Sequence, residues 1–481
     1  MARTFGRDGQ PRSEKATRSP VVPARAGESR VLLLRLPAAR DERKQAMPTL
    51  TAGLLRKTGS ITVLAAVLSI VSSNIVLTSN ASNSSTSKNG LILQQPPEGA
   101  RSVKKVDDRL VAATSRFSFK LYSQLLKQRA SKNVFVSLSS VILALAMTYN
   151  GADGETRQAM ARALELEGLS LEEVNRGFAD LTSVLGSADP KLQLNIANSL
   201  WARKGFALKP DFIQRTKEFY SAEVASLDFS NPAAPATINS WVKNNTGNKI
   251  EKVVGDKISD NTILFLINAI YFKGQWTVEF EKSKTRDDDF KLTVGSQKKL
   301  PMMSQSGKYS YYKGKDFQAL SLPYGSGRMS MYVFLPDRST SLDRFERNLT
   351  AADWETWMKS FRFAPGELTL PRFKIEYEVE LNDALKALGM SEAFDPNRAN
   401  FSRIAQGEVY ISEVKHKTVA EVNEEGTVAA AVTSIGVQVA SVQPPQENFI
   451  MKVDRPFFVA IRDNVTGTLL FMGSIADPAA L

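Results

Sequence analysis

Residues Glu424 to Gln446 read EEGTVAAAVTSIGVQVASVQPPQ, and the 21 residues from Gly426 to Gln446 carry no charge. No proline interrupts the run before Pro444. A segment of this kind on a protein surface invites aggregation, because uncharged, β-prone chain pairs readily with strand edges. In an extended chain Thr427, Ala429, Ala431, Thr433, Ile435 and Val437 share one face, and all six are uncharged and small or medium-sized. That face suits burial in the middle of a sheet. The residues alone leave open a fixed core strand, an alanine-rich helix, or an exposed loop kept apolar for a reason still to be found.

The flanks narrow the choice. Glu421 to Ala431 (EVNEEGTVAAA) follows His416-Lys417-Thr418 and precedes Asp454-Arg455-Pro456-Phe457-Phe458 and Phe471-Met472-Gly473. Upstream, in the same order along the chain, come Asn133 to Ser137 (NVFVS), Asn239 to Val242 (NSWV) and Asn268 to Trp276 (NAIYFKGQW). Together these stretches resemble the serpin family, and the likeness covers roughly residues 109–478.

The resemblance implies an α+β fold of about nine helices and three β-sheets, with an exposed reactive-centre loop after Glu424. It implies a non-enzymatic inhibitor: a target serine protease mistakes the loop for substrate, is acylated, and is trapped when the loop enters the central sheet as a new strand. Glu424, Glu425, Gly426, Thr427, Val428, Ala429, Ala430 and Ala431 match the hinge. Val428 departs from the acidic residue frequent at its position, on the face expected to point outward. Family spacing puts the reactive bond between Ala440 and Ser441, with Val439 as the neighbouring alternative. A small apolar residue there suits the shallow pocket of elastase-like or subtilisin-like proteases. Ser137, Ser140, Asn268 and His416 match the polar shutter beneath the sheet, with Leu138 where a proline is common, and Trp276 matches the breach at the loop's entry. The runner-up is a non-inhibitory serpin-fold carrier, chaperone or storage protein. Bulky, charged or proline residues between Thr427 and Val437 would favour it, and there are none.

Other chemistry finds little support in the sequence. The chain has no cysteine and a single histidine, His416, which excludes disulfides, thiol catalysis and histidine-rich metal sites; neither a metal nor a cofactor is expected. A Ser/His hydrolase would have to use that one imidazole as its general base. Gly325-Ser326-Gly327 and Gly314-Lys315 read as turns rather than a nucleophile elbow or phosphate loop. Arg286 to Asp289 reads as a solvated loop lacking calcium-loop order. Between Gly168 and Gly186 acidic residues outnumber the one arginine, so no heparin surface is evident there.

The formal charge of +12 is uneven: residues 1–60 hold 13 Lys/Arg against 5 Asp/Glu, leaving +4 for the remainder. A basic tail therefore explains the charge, and no nucleic-acid partner is expected. Ile61 to Val71 (ITVLAAVLSIV) follows Arg56-Lys57 and precedes small residues at Ser79 and Ala81, the layout of a secretory signal starting at Met47. The chain is accordingly divided into a basic extension (1–46), a signal peptide or anchor (47–81), a Ser/Asn/Pro-rich linker (82–108) and one domain (109–481). Secretion as a monomer is the expectation, with membrane anchoring the alternative if the apolar segment is retained.

Overall fold

The computed structural model describes residues 105–128, 132–186, 189, 191–293, 295–427 and 448–479. Helix α1 (Asp108–Gln128) is amphipathic and buries Leu110, Phe117, Leu121 and Leu125 on one face. Helix α2 (Leu138–Tyr149) is different: all of its residues are buried. Its sequence, LSSVILALAMTY, has no polar face to offer water, so it runs through the core rather than over it.

The six-stranded sheet carries the functional interest. Its members are β1 (Leu192–Arg203), β2 (Glu223–Leu227), β3 (Leu264–Gln275), β4 (Phe373–Glu380), β5 (Ile411–Asn423) and the two-residue β6 (Gly426–Thr427), in spatial order β4-β5-β6-β3-β1-β2. Strand β3, LFLINAIYFKGQ, is buried without interruption from Leu264 to Phe272. The reason is that both faces are covered. Leu264, Leu266, Ile270 and Phe272 join the main core, while Phe265, Ile267 and Ala269 pack with Ile238 and Val242 of the helix Ala234–Asn245 in a second cluster.

The nine-stranded sheet is linked through the 17-residue strand Gln297–Lys313. One end of that strand pairs with Phe317–Tyr324, while Arg286–Lys291 and Arg362–Pro371 pair along the rest. Two smaller sheets are thus joined by one long strand, in keeping with the expected α+β architecture.

Two local expectations are corrected and a third, a strand at Leu192 to Ile196, is extended. Glu367 to Ile375, which reads as one strand, is two: Arg362–Pro371 ends in one sheet and β4 begins in the other, with Arg372 between them. Pro371 marks the break, since proline cannot donate to a continuing ladder. Arg286 to Asp289 is an edge strand rather than a loop, hairpinned onto Gln297–Met302, with Asp288 2.5 Å from Lys452. The alternation at Leu192 to Ile196 continues as strand to Arg203, because from Ala197 to Ala202 both faces are buried and the alternation disappears.

Candidate functional site: the seam between β3 and β5

Strands β3 and β5 run parallel, in unbroken register from Glu413 opposite Phe265 to Val419 opposite Tyr271, with a bulge between Glu413 and Ile411, which lies opposite Leu264. Above that point a wedge separates them. Gly426 and Thr427 lie antiparallel to both, opposite Gln275 and Gly274 on one side and Asn423 and Val422 on the other. A Cβ on Gly426 would stand 2.1 Å from the Gly274 carbonyl oxygen, and its φ is +147°. Only glycine fits. Thr427 is fully buried, with its Oγ1 2.8 Å from the Tyr324 hydroxyl.

The turn feeding the wedge is held by its own carbonyls. The backbone N–H of Trp276 donates to Glu425 O at 3.0 Å, that of Phe280 to Glu424 O at 2.8 Å, and Trp276 Nε1–H to Asn423 O at 2.9 Å. The indole stacks on Tyr324 with centroids 4.5 Å apart, so one aromatic pair supports both the turn and Thr427. Glu424 is only 2 % exposed. Burial pushes its carboxyl pKa up, but hydrogen bonds from Arg372 and Thr285 outweigh that and hold it below the ordinary value. Arg372 Nε donates at 2.8 Å and Thr285 Oγ1 at 2.5 Å. Glu425 is paired with Lys282.

Lower in the seam, His416 of β5 and Asn268 of β3 are register partners on the core side. The Ser137 amide N–H can only donate, and it reaches His416 Nε2 at 3.0 Å. Nε2 is therefore the acceptor, and Nδ1 carries the proton that it donates to Asn268 Oδ1 at 2.5 Å. Asn268 Nδ2 in turn donates to Ser140 O at 3.0 Å, to Ser140 Oγ and to Asn198 Oδ1 at 2.5 Å. Ser137 Oγ donates to Leu470 O at 2.9 Å, and Thr418 Oγ1 to Phe135 O. Burial pushes the imidazole pKa down to about 3, so the ring is neutral and its two nitrogens are committed. Nothing in this arrangement leaves an imidazole free to act as a base.

The four residues matched to the shutter thus form one network, and Trp276 meets Asn423, Glu425 and Tyr324. Glu424 to Thr427 are in the wedge. Val428, Ala429, Ala430, Ala431, Val439, Ala440 and Ser441 lie outside the described residues, as do residues 1–104 with the extension, the signal and most of the linker. The sequence reading missed Arg372, Thr285, Tyr324 and Asn198. Of these only Arg372 left a trace, as a charged residue after Pro371 in an otherwise alternating run. Gly325 and Gly327 both have positive φ, as turns require. Among the described residues no cluster of acidic residues and histidine that could hold a metal occurs, and no helix is long and apolar enough to cross a membrane.

Comparison with known proteins agrees with this geometry. Residues 112–478 match the family model described as serpin (serine protease inhibitor). The chain is 36% identical over 383 residues to the leukocyte elastase inhibitor of Bos taurus, covering 77% of this chain and 100% of that one. It is 35% identical to the neuroserpin of Gallus gallus, covering 76% and 91%. Among solved structures, the thermophilic serpin tengpin in its native state superposes with a TM-score of 0.72 at 33% identity, covering 78% and 95%. Human thyroxine-binding globulin complexed with thyroxine gives 0.71 at 29%, covering 77% and 99%. With a family model spanning most of the chain, relatives matched along their whole length and the same fold, this chain belongs to the serpin family of serine protease inhibitors.

Proposed function

We propose that the chain inhibits serine proteases as a suicide substrate: the enzyme cleaves at Ala440–Ser441, or one residue earlier after Val439, and the freed strand fills the seam between β3 and β5. One observation carries this reading. The ladder joining Gly426–Thr427 to β3 and the one joining them to β5 imply the same relative register that β3 and β5 share from Glu413–Phe265 to Val419–Tyr271. The two strands therefore need only part sideways, without sliding, to admit more of the same strand. Continued residue by residue, the ladders would set Ala429 between Phe272 and Ala420, Ala431 between Ile270 and Thr418, Thr433 between Asn268 and His416, and Val437 beside Leu264, where β3 begins.

The energetics favour completion. Insertion would replace the eight paired positions of a parallel ladder with two antiparallel ladders, a net gain of perhaps a dozen backbone bonds. At about 1 kcal/mol each this is on the order of 10 kcal/mol, against roughly 3–4 kcal/mol for loss of one oxyanion donor in a protease. Parallel pairing is also somewhat weaker per residue than antiparallel. The likeness to thyroxine-binding globulin means the fold alone does not decide between inhibitor and carrier; the uncharged run from Thr427 to Val437 supports the inhibitor.

The small residue at Ala440 supports elastase-like or subtilisin-like targets. Mixing the protein with a panel of such enzymes gives, on this reading, a complex that survives boiling in detergent, with the cut mapped by mass spectrometry. Cleavage of the loop by every enzyme without a stable complex overturns it. Export from the cell under the signal ending near Ala81 belongs to the same proposal. N-terminal sequencing of protein recovered from the medium tests it, and an intact Met1 refutes it.

A further inference from the structure

We infer that Asp189 is a positioning residue for loop insertion: it ties the start of β1 to the turn Tyr324–Gly327 and makes that turn the pivot on which β1, β2 and β3 swing to open the seam. Asp189 lies three residues before β1, and its carboxylate reaches in two directions. Oδ2 accepts from the Ser326 N–H at 2.5 Å, and Oδ1 accepts from the Lys191 N–H at 2.8 Å. A Cβ on Gly325 would stand 2.4 Å from Oδ2, and Gly325 has φ +51°. The carboxylate is thus seated against a position where only glycine fits. Burial pushes its pKa up, but hydrogen bonds from Ser326 and Lys191 outweigh that and hold it below the ordinary value.

The same turn holds the top of β3. The Gly325 N–H donates to Gln275 O at 2.8 Å, the Thr277 N–H to Pro323 O at 2.8 Å, and Thr277 Oγ1 to Gly325 O at 2.9 Å. Leu192, which opens β1, is the register partner of Gly274. Tyr324, the first residue of the turn, stacks on Trp276 and bonds Thr427. The tops of β1 and β3 and the wedge therefore meet at one turn, which joins Phe317–Tyr324 to Met329–Pro336 in the nine-stranded sheet. At that level Gly426 and Thr427 already hold β3 and β5 a strand's width further apart than they are at Tyr271 and Val419. Filling the rest of the seam moves the far end of β3 by one strand spacing, about 4.8 Å. Over the 12 residues of β3, roughly 40 Å, this is a rotation of roughly 7° about the pinned end. The pin also keeps β1 and β3 from sliding along their length, which preserves the register in which the entering strand must pair.

This inference rests on the inhibitory reading but can fail separately. The test uses whichever protease of the panel is trapped by the full chain: the limiting rate of trapping at saturating enzyme reads insertion, and the second-order rate at low enzyme reads encounter. Asp189→Ala removes both hydrogen bonds, and Asp189→Asn leaves one acceptor oxygen for two N–H groups. Ser326→Pro removes the N–H instead; Ser326 is not among the residues with positive φ, so proline suits its backbone. We expect the limiting rate to fall about tenfold in Asp189→Ala and in Ser326→Pro, the effect of losing one hydrogen bond to a charged group, and to fall less in Asp189→Asn. The double variant Asp189→Ala/Ser326→Pro loses nothing further, because both changes break the same bond, and encounter is unchanged. A merely structural anchor would lower the urea midpoint and leave the limiting rate alone, so limiting rates within twofold of the parent overturn the inference whatever the midpoints do. A faster rate, which would make Asp189 a brake, overturns it as well, and so does a double variant whose losses multiply. Should Asp189→Ala fail to fold, Asp189→Asn and Ser326→Pro decide by the same criterion. Absence of any complex with the parent chain is the distinct failure of the inhibitory reading.

Discussion

Replacing Thr427 by arginine attacks the wedge at its tip. The Thr427 side chain is fully buried and its hydroxyl meets Tyr324 at 2.8 Å; its register partners are Val422 and Gly274. None of these is a carboxylate. Loss of the hydroxyl bond costs about 1 kcal/mol, and burying an unpaired guanidinium costs several kcal/mol even after relaxation. The arginine escapes that penalty by leaving the seam and taking Gly426 with it, so insertion must begin from a withdrawn hinge. Each 1.4 kcal/mol added to the entry barrier slows entry about tenfold. A penalty of about 4 kcal/mol therefore slows it roughly a thousandfold, while deacylation by the enzyme is untouched. The assay is titration of a fixed amount of the trapped protease with parent, Thr427→Arg and Thr427→Ser, with products resolved in detergent gels. Thr427→Arg should be cleaved at the same bond and released, with the inhibitor consumed per enzyme rising at least tenfold; Thr427→Ser should behave as the parent. If Thr427→Arg forms stable complex at the parental stoichiometry, the wedge is not the entry point and the insertion argument fails.

Two further outcomes follow from the anchors. His416 is neutral in the fold with its pKa pushed down to about 3, against an ordinary value of 6.5. Between those limits the unfolded chain binds a proton that the folded chain refuses, so stability falls as pH drops below 6.5, by about 2 kcal/mol at pH 5. Urea midpoints at pH 7 and pH 5, compared with those of His416→Gln, read this directly; identical pH dependence in the two proteins refutes it. Glu424→Gln removes the charge facing Arg372, which is itself half-exposed and screened, so a modest loss of about 1–2 kcal/mol is expected, with faster amide exchange at Gly426 and Thr427. The parent carboxyl, held below its ordinary 4.5, contributes stability above that pH and loses the contribution as pH falls through the lowered pKa. Unchanged exchange at the wedge in Glu424→Gln would show that the carbonyl bonds from Trp276 and Phe280 hold the turn unaided.

The parts of this site legible in the sequence are those written in local chain. The charge-free run after Glu425 stands out because exposed loops seldom lack charge, and Gly426 falls where a Cβ would strike the Gly274 carbonyl. Strand β3 reads as a continuous apolar run because two cores cover it. What could not be read depends on partners distant in sequence. Arg372 and Glu424 are 52 residues apart, and no local pattern links them. Tyr324 looks like any strand tyrosine until the sheets bring it against Trp276 and Thr427. Arg286 to Asp289 misleads in the opposite way: an edge strand whose side chains are mostly in water keeps the composition of a loop, and only its hairpin partner defines it.

On the proposed mechanism, the His416–Asn268 bond must both hold the sheet shut and give way when it opens. This bond joins the two strands that must part, and both partners are buried, so opening exposes neither group to water. A buried polar group left without a partner costs about 1–3 kcal/mol, and here there are two, on either side of the new strand. Insertion is most favourable if the strand brings a polar group to that level. Carried down from Gly426 and Thr427, the register puts Thr433 there. Its neighbours on the same face, Ala429, Ala431, Ile435 and Val437, offer only hydrocarbon to the levels where β3 and β5 present Phe272, Ile270, Leu266 and Val414, all buried, and Thr418, whose hydroxyl is already given to Phe135 O. A hydroxyl both donates and accepts, so Thr433 can accept from His416 Nδ1 and donate to Asn268 Oδ1 as the old bond is lost. The closed seam and the filled one are then both saturated with hydrogen bonds, and the difference in backbone pairing is left to set the direction of the change.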